Sequence, residues 1–182
     1  MTRHSARGAA LLSRRVLLSR VARIRRENPG VRVVLANGLF DLLHVGHLRY
    51  LRGARALGDF LVVAVNDDRS ARRSRGPGRP IMAGRDRARL VASLEGVGAV
   101  VLFGEASVAA LLRRLRPEIH CKGTDYTAGT VPERAVVRSY GGTVRIAGDV
   151  KRHATTDLLD RIARRAPHPR LNRRRSVPRT GS

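Results

Sequence analysis

The apolar positions of this chain switch repeatedly between a helical and an extended spacing. From Ser13 to Asn28, Val16, Leu17, Leu18, Val21, Ala22 and Ile24 alternate with arginines every third or fourth residue. That spacing predicts an amphipathic helix closed by Asn28-Pro29-Gly30. A core-packed helix with a solvated arginine face is the plain reading, and a helix lying on nucleic acid or a membrane surface is the alternative. Residues 31–36 (VRVVLA) form a β-branched run that predicts a strand ending at Asn37-Gly38. Residues 45–57 return to helical spacing through Leu48, Leu51, Ala54 and Leu57, and stop at Gly58. Strands follow at 60–65 (FLVVAV), 99–103 (AVVLF), 118–121 and 143–147. Helices are predicted at 86–94, 107–115, 132–140 and 155–165. Two polar loops interrupt this rhythm: 66–80 (NDDRSARRSRGPGRP), too long for an idle connection, and 122–130 (KGTDYTAGT).

Strands that alternate with helices and are apolar on both faces require a parallel sheet covered on each side. Five such strands with right-handed crossovers predict a doubly wound, Rossmann-like α/β domain over residues 13–165. Residues 1–12 read as a flexible leader, and 166–182 as a disordered basic tail without apolar period. Ligands of such sheets bind beyond the carboxyl ends of the strands, which directs attention to the loops that follow them.

Charge adds to this picture. Thirty-seven basic residues face 14 acidic ones in 182 residues, a formal net charge of +23, and Lys122 and Lys151 are the lysines. Residues 1–29 hold eight arginines and residues 164–182 seven, yet 30–163 still has 22 bases against 13 acids. A domain with that excess suits an anionic ligand. The lone Cys121 excludes an intrachain disulfide framework and a cysteine-based zinc site. No apolar run reaches the ~18 residues of a membrane span, and no secretory h-region is present, so a cytoplasmic protein without membrane contact is expected.

The stretch after the first predicted strand, NGLFDLLHVGH from Asn37 to His47, concentrates the chemistry. His44 and His47 are three apart at a helix opening, so both rings can point to one side. Gly38 lets backbone approach a ligand, and Gly46 leaves room between the rings. Unpaired amides and the positive end of the helix dipole favour phosphate there. Two imidazoles beside them can donate to a polyphosphate and to charge developing on it. The same H-x-x-H spacing also suits a metal pair or structural histidines. Lys122, after the strand at 118–121, reads either as a solvated surface lysine or as a phosphate contact.

G-x-F-D-x-x-H-x-G-H resembles the signature of the cytidylyltransferase-like nucleotidyltransferases. The likeness runs through residues 31–163: VAVNDDRSARRSRGPGRPI, DRA at 86–88, KGTDY at 122–126, RSYGG at 138–142 and ATTDLLDRI at 154–162. These segments are most similar to the adenylyltransferase of ADP-heptose synthesis, here without the sugar kinase to which it is often fused. The resemblance implies transfer of AMP from ATP to a sugar 1-phosphate with release of pyrophosphate, assisted by Mg²⁺ that arrives with ATP and not by a metal held by the protein. It assigns phosphate and transition-state contacts to His44, His47 and Lys122. It places Asn37, Gly38, Leu39, Phe40, Gly46, Gly123, Asp125, Thr155 and Thr156 around the nucleotide, and Asp41, Arg79 and Arg75 at the acceptor. Arg87 is expected to be structural, and His120 to lie away from the motif. Relatives often dimerise, so a homodimer is a further expectation.

Four positions depart from the family pattern: Thr124 for a usual Gly, Lys151-Arg152 for a Glu-Gly pair, Ala154 for Ser, and Gly98 for Asp. A cytidylyltransferase acting on glycerol 3-phosphate or another polyol phosphate shares the histidine motif and is the alternative enzyme. Incidental nucleic-acid binding through the arginine-rich ends is the alternative from another class.

Overall fold

In the computed structural model, residues 9–148 and Arg164 are described. The elements are β1 (Ala10–Leu12), α1 (Arg14–Glu27), β2 (Val33–Gly38), α2 (Val45–Arg55), β3 (Phe60–Asn66) and α3 (Asp68–Arg75). They continue as α4 (Gly84–Ala92), β4 (Val97–Phe103), α5 (Ala109–Leu115), β5 (Ile119–Gly123), α6 (Arg134–Ser139) and β6 (Thr143–Ala147). The expected helix at 155–165 and the tail 166–182 lie outside the described residues, apart from Arg164, which is helical.

Among the described residues, six parallel strands form the sheet in the order β1-β4-β3-β2-β5-β6. The α/β architecture and parallel sheet agree with the sequence pattern, but the strand number is six and not five. The extra strand comes from the expected leader: Ala10, Leu11 and Leu12 pair with Ala99, Val100 and Val101 at the edge of the sheet. Three apolar residues are too short a run to show a period, so pairing with β4 decides their state. The polar loop 66–80 likewise contains α3, capped by the Asp67 carboxylate accepting from the Ser70 N–H at 2.7 Å. Its arginines leave only Ser70 and Ala71 buried, so no apolar stripe announces it.

Each face of the sheet carries its own core. Val34, Ala36, Val63, Val65 and Val100 pack with Leu51 and Ala54 of α2 and Ala88 and Val91 of α4. On the other face, Val33, Leu35, Val62 and Val101 pack with Leu17 and Val21 of α1, Leu111 and Leu112 of α5, and Val137 of α6. The buried face of α1 therefore belongs to this core, as the plain reading of residues 13–28 requires. Ser13 caps α1 by accepting from the Val16 N–H. Gly98 also has a packing reason: a Cβ there would lie 2.5 Å from the Phe60 ring. Among the described residues no helix is long and apolar enough to cross a membrane.

Candidate active site

The strand order runs outward in opposite directions from β2 and β5, which are neighbours. Their carboxyl ends therefore flank the crevice where a doubly wound sheet takes its ligand. Asn37 and Gly38 end β2; Lys122 and Gly123 end β5. Gly123 faces open space, since a Cβ there would meet nothing within 4 Å.

On one side of this crevice stands the start of α2. His44 is its N-cap, and its Nδ1 accepts from the Gly46 N–H at 3.2 Å. With Nδ1 accepting, the ring keeps a proton on Nε2, through which it can donate to a phosphate. One turn on, the His47 ring lies 3.9 Å from that of His44, centroid to centroid. Burial, reinforced by the His44 charge and opposed by the Leu42 backbone, lowers the His47 pKa to about 4. His47 is accordingly neutral at physiological pH, and its buried Nδ1 has no hydrogen-bond partner among the described residues. A polyphosphate at this point would supply an acceptor and favour the protonated ring.

Phe40 lies beneath the pair and does not line a pocket wall. It is 1 % exposed, its ring 5.2 Å from His47 and stacked 6.5 Å from Tyr50. Its backbone is left-handed, with φ 52°. The ring folds back over Gly38, whose absent Cβ would stand 3.0 Å from it. Gly38 thus makes room for a residue of its own motif. Tyr50 in turn donates to the Cys121 carbonyl at 2.8 Å, tying α2 to β5.

Lys122 and Asn37 project to the other face of the sheet. The register that pairs Leu35 with His120 and Ala36 with Cys121 sets Asn37 level with Lys122. Lys122 Nζ donates to Asn37 Oδ1 at 3.4 Å, stands 4.6 Å from the centre of the Tyr126 ring, and lies 4.0 Å from Glu133 Oε2. Burial lowers the Lys122 pKa, and Glu133 works against the shift. The surface-lysine reading fails on this burial: Lys122 is 8 % exposed.

His120 does not lie apart from the motif. It is fully buried, and its Nε2 is 3.1 Å from the same Asn37 Oδ1. The expected separation is corrected by strand parity: His120 and Lys122 are two apart in β5, so they share a face. Glu133 gave no signal in the sequence, because a loop and a helix start bring it to Lys122.

Asp41 and the segment 79–82 form a clip. Asp41 is 3 % exposed and accepts from the Ile81 N–H at 2.8 Å, the Met82 N–H at 3.0 Å and Arg79 Nη1 at 2.9 Å. Burial alone would raise its pKa, but the Met82 and Ile81 amides and Arg79 outweigh it and hold the carboxyl below its usual range. Asp41 therefore anchors the segment that carries Arg79 and gives its charge to that arginine. Arg87 is structural, as expected: fully buried, it donates to the Leu39 and Met82 carbonyls and to Asp68. Arg75 is exposed in the last turn of α3, and Asp125 is exposed in the loop after β5. Thr155, Thr156, Ala154 and the Lys151-Arg152 pair lie outside the described residues.

A family model described as cytidylyltransferase-like matches residues 35–166. The chain belongs to the cytidylyltransferase-like family. Among curated relatives of this cytidylyltransferase-like chain, the bifunctional protein HldE of Syntrophotalea carbinolica is 42% identical over 162 residues, covering 89% of this chain and 33% of the relative. The bifunctional protein HldE of Methylobacillus flagellatus is 44% identical over 147 residues, covering 81% of the chain and 30% of the relative. The chain thus spans about a third of the length of these relatives. The crystal structure of a lipopolysaccharide core biosynthesis protein from Thermoplasma volcanium superposes with a TM-score of 0.56 at 31% identity, covering 67% of this chain and all of that one.

Proposed function

We propose that the chain transfers AMP from ATP to a sugar 1-phosphate, with a heptose 1-phosphate as the first candidate, and releases pyrophosphate. A phosphate oxygen of the acceptor attacks the α-phosphorus in line, and the bond from that phosphorus to the oxygen bridging to the β-phosphate breaks. The leaving group is pyrophosphate, and no covalent bond to the protein forms. Catalysis of this kind is positioning plus stabilisation of charge on the phosphoryl oxygens. His44 Nε2–H and the His47 ring donate to those oxygens at the α2 start, and Lys122 brings a cation from β5. Asn37, Gly38, Leu39, Gly46, Gly123 and Asp125 surround the nucleotide, with Thr155 and Thr156 joining them. Arg79, oriented by Asp41, meets the acceptor phosphate, and Arg75 stands further out.

The observation that carries this reading is the placement of a histidine pair at the start of α2, which follows β2, and of a buried lysine near the end of β5, with β2 and β5 neighbours at the switch point. The relatives are named bifunctional and the chain spans about a third of their length, which fits one activity of two; the solved neighbour is named for lipopolysaccharide core biosynthesis, which fits a sugar phosphate acceptor. Magnesium prefers oxygen ligands and usually keeps several waters. Among the described residues no three His, Cys, Asp or Glu side chains could hold an ion, and Asp41 is engaged by three donors. In this reading the ion is delivered on the triphosphate, where it would neutralise phosphate charge.

The deciding experiment is a pyrophosphate-release screen of ATP and CTP against sugar 1-phosphates and glycerol 3-phosphate. Release with ATP and a heptose 1-phosphate is expected. Release with CTP and a polyol phosphate alone would replace the reading with the cytidylyl one.

A further inference from the structure

Asn37 Oδ1 is the meeting point of two donors from β5, Lys122 Nζ and His120 Nε2. An ammonium can only donate, so the Asn37 atom that faces Lys122 must be oxygen. His120 must then donate through Nε2–H. Burial, with the Lys122 charge adding to it, lowers the His120 pKa to about 3, so the ring holds a single proton. That proton is on Nε2, and the buried Nδ1, which has no partner among the described residues, is bare. The carboxamide is thereby held in one of its two flips. Its oxygen points at β5 and its two N–H donors point away from both partners.

We propose that His120 is a positioning residue that fixes the Asn37 carboxamide as a donor at the end of β2 and keeps the Lys122 ammonium beside it. The inference rests on the reading of this crevice as a nucleotide site. The terminal torsion of an Asn is broad and roughly two-fold, so nothing intrinsic chooses the flip. Lys122 alone could hold the oxygen, but at 3.4 Å it is the weaker of the two bonds, and it has a competing anion in Glu133. Without the His120 donor, the ammonium can move to Glu133 and the amide can rotate. A ligand acceptor, such as a phosphate or ring nitrogen, would then face a carbonyl oxygen. Asn37 touches the nucleotide under this reading; His120 acts through it from a position without solvent access.

The test compares His120→Gln, His120→Asn and His120→Leu. The Gln amide nitrogen reaches the place of Nε2, the Asn amide nitrogen only that of Nδ1, and Leu fills the volume with no donor. Calorimetry reads ATP affinity without any acceptor, and steady-state rates read the KM and kcat effects. Loss of a hydrogen bond within a charged network corresponds to about tenfold in affinity. His120→Leu and His120→Asn are expected to weaken ATP binding and raise KM about tenfold, with kcat changed much less. His120→Gln is expected to restore binding to within about twofold of the native chain. An apolar residue suits this buried strand, so His120→Leu should melt no lower than the native protein.

Equal ATP affinity in all three variants, or losses that track melting temperature alone, would overturn the proposal. Nitrogen-15 shifts of the His120 ring in the unliganded protein give a second reading. The Nε2–H tautomer is required, and an Nδ1–H tautomer overturns the inference whatever the activity. Absence of turnover by the native chain in the pyrophosphate screen would instead remove the enzymatic reading and leave the tautomer result standing.

Discussion

The Phe40 ring occupies the space where a side chain at Gly38 would begin, with the missing Cβ 3.0 Å from its edge. The glycine and the aromatic of the motif are thus two halves of one packing device, and His47 rests on it at 5.2 Å. Gly38→Ala should push the ring toward His47. Overpacking of this kind costs about 1–3 kcal/mol. A lowered melting temperature together with reduced turnover is expected, and a variant with native melting and native kcat would refute the arrangement.

The two histidines separate structure from chemistry at His44. His44→Ala removes both the N-cap of α2 and the ring, while His44→Asn restores a good cap. Thermal melts should show a loss of ~1 kcal/mol for Ala and little for Asn. Both variants, and His47→Ala, should lose on the order of 10²–10³ in kcat, with a smaller rise in KM for ATP. Native kcat in His44→Asn would show that His44 is only a cap.

Removal of residues 1–12 should do more than trim an end. Without β1, the apolar edge of β4 at Ala99, Val100 and Val101 loses its partner. An unpaired edge strand invites pairing between molecules. Calorimetry should give a lower melting temperature, and light scattering should show self-association. An unchanged melting temperature and oligomeric state would contradict the role of β1 as a structural edge.

Acid should weaken the fold through buried histidines. His47 and His120 have folded pKa values of about 4 and about 3, against 6.5 for the free side chain. The unfolded chain therefore takes up protons first as pH falls. Stability is whole above pH 6.5 and declines as pH drops through the window down to the two folded values. Near pH 5 the slope should correspond to about two protons, and to about one in His120→Gln. Urea unfolding at pH 7, 6 and 5 reads this slope directly; a flat profile in the native chain would contradict the burial of these rings.

The main residues of the candidate site are visible in the sequence itself. The histidine spacing, the loop glycines and the lysine after a strand each announce chemistry through residue type and local pattern. His120 and Glu133 were not legible as neighbours of Asn37 and Lys122. Asn37 and His120 are 83 residues apart, and only the β2–β5 pairing brings them together. The family resemblance places Asp41 at the acceptor. Its partners within the chain, Arg79 and the Ile81 and Met82 amides, come from a distant loop that no local spacing predicts.

Hydrophobic period alone determined which segments are strands and which are helices wherever an apolar stripe must be buried, and it required a parallel, doubly covered sheet. Tertiary structure decided what lacks such a stripe. The three-residue β1 exists because β4 offers a free edge, and α3 exists because Asp67 caps it and β3 accepts its two small buried residues. The strand order also arose there, since sequence patterns specify which residues need burial but not which strands meet. Around Asn37 that order chose the partners, and with them the direction in which a carboxamide points.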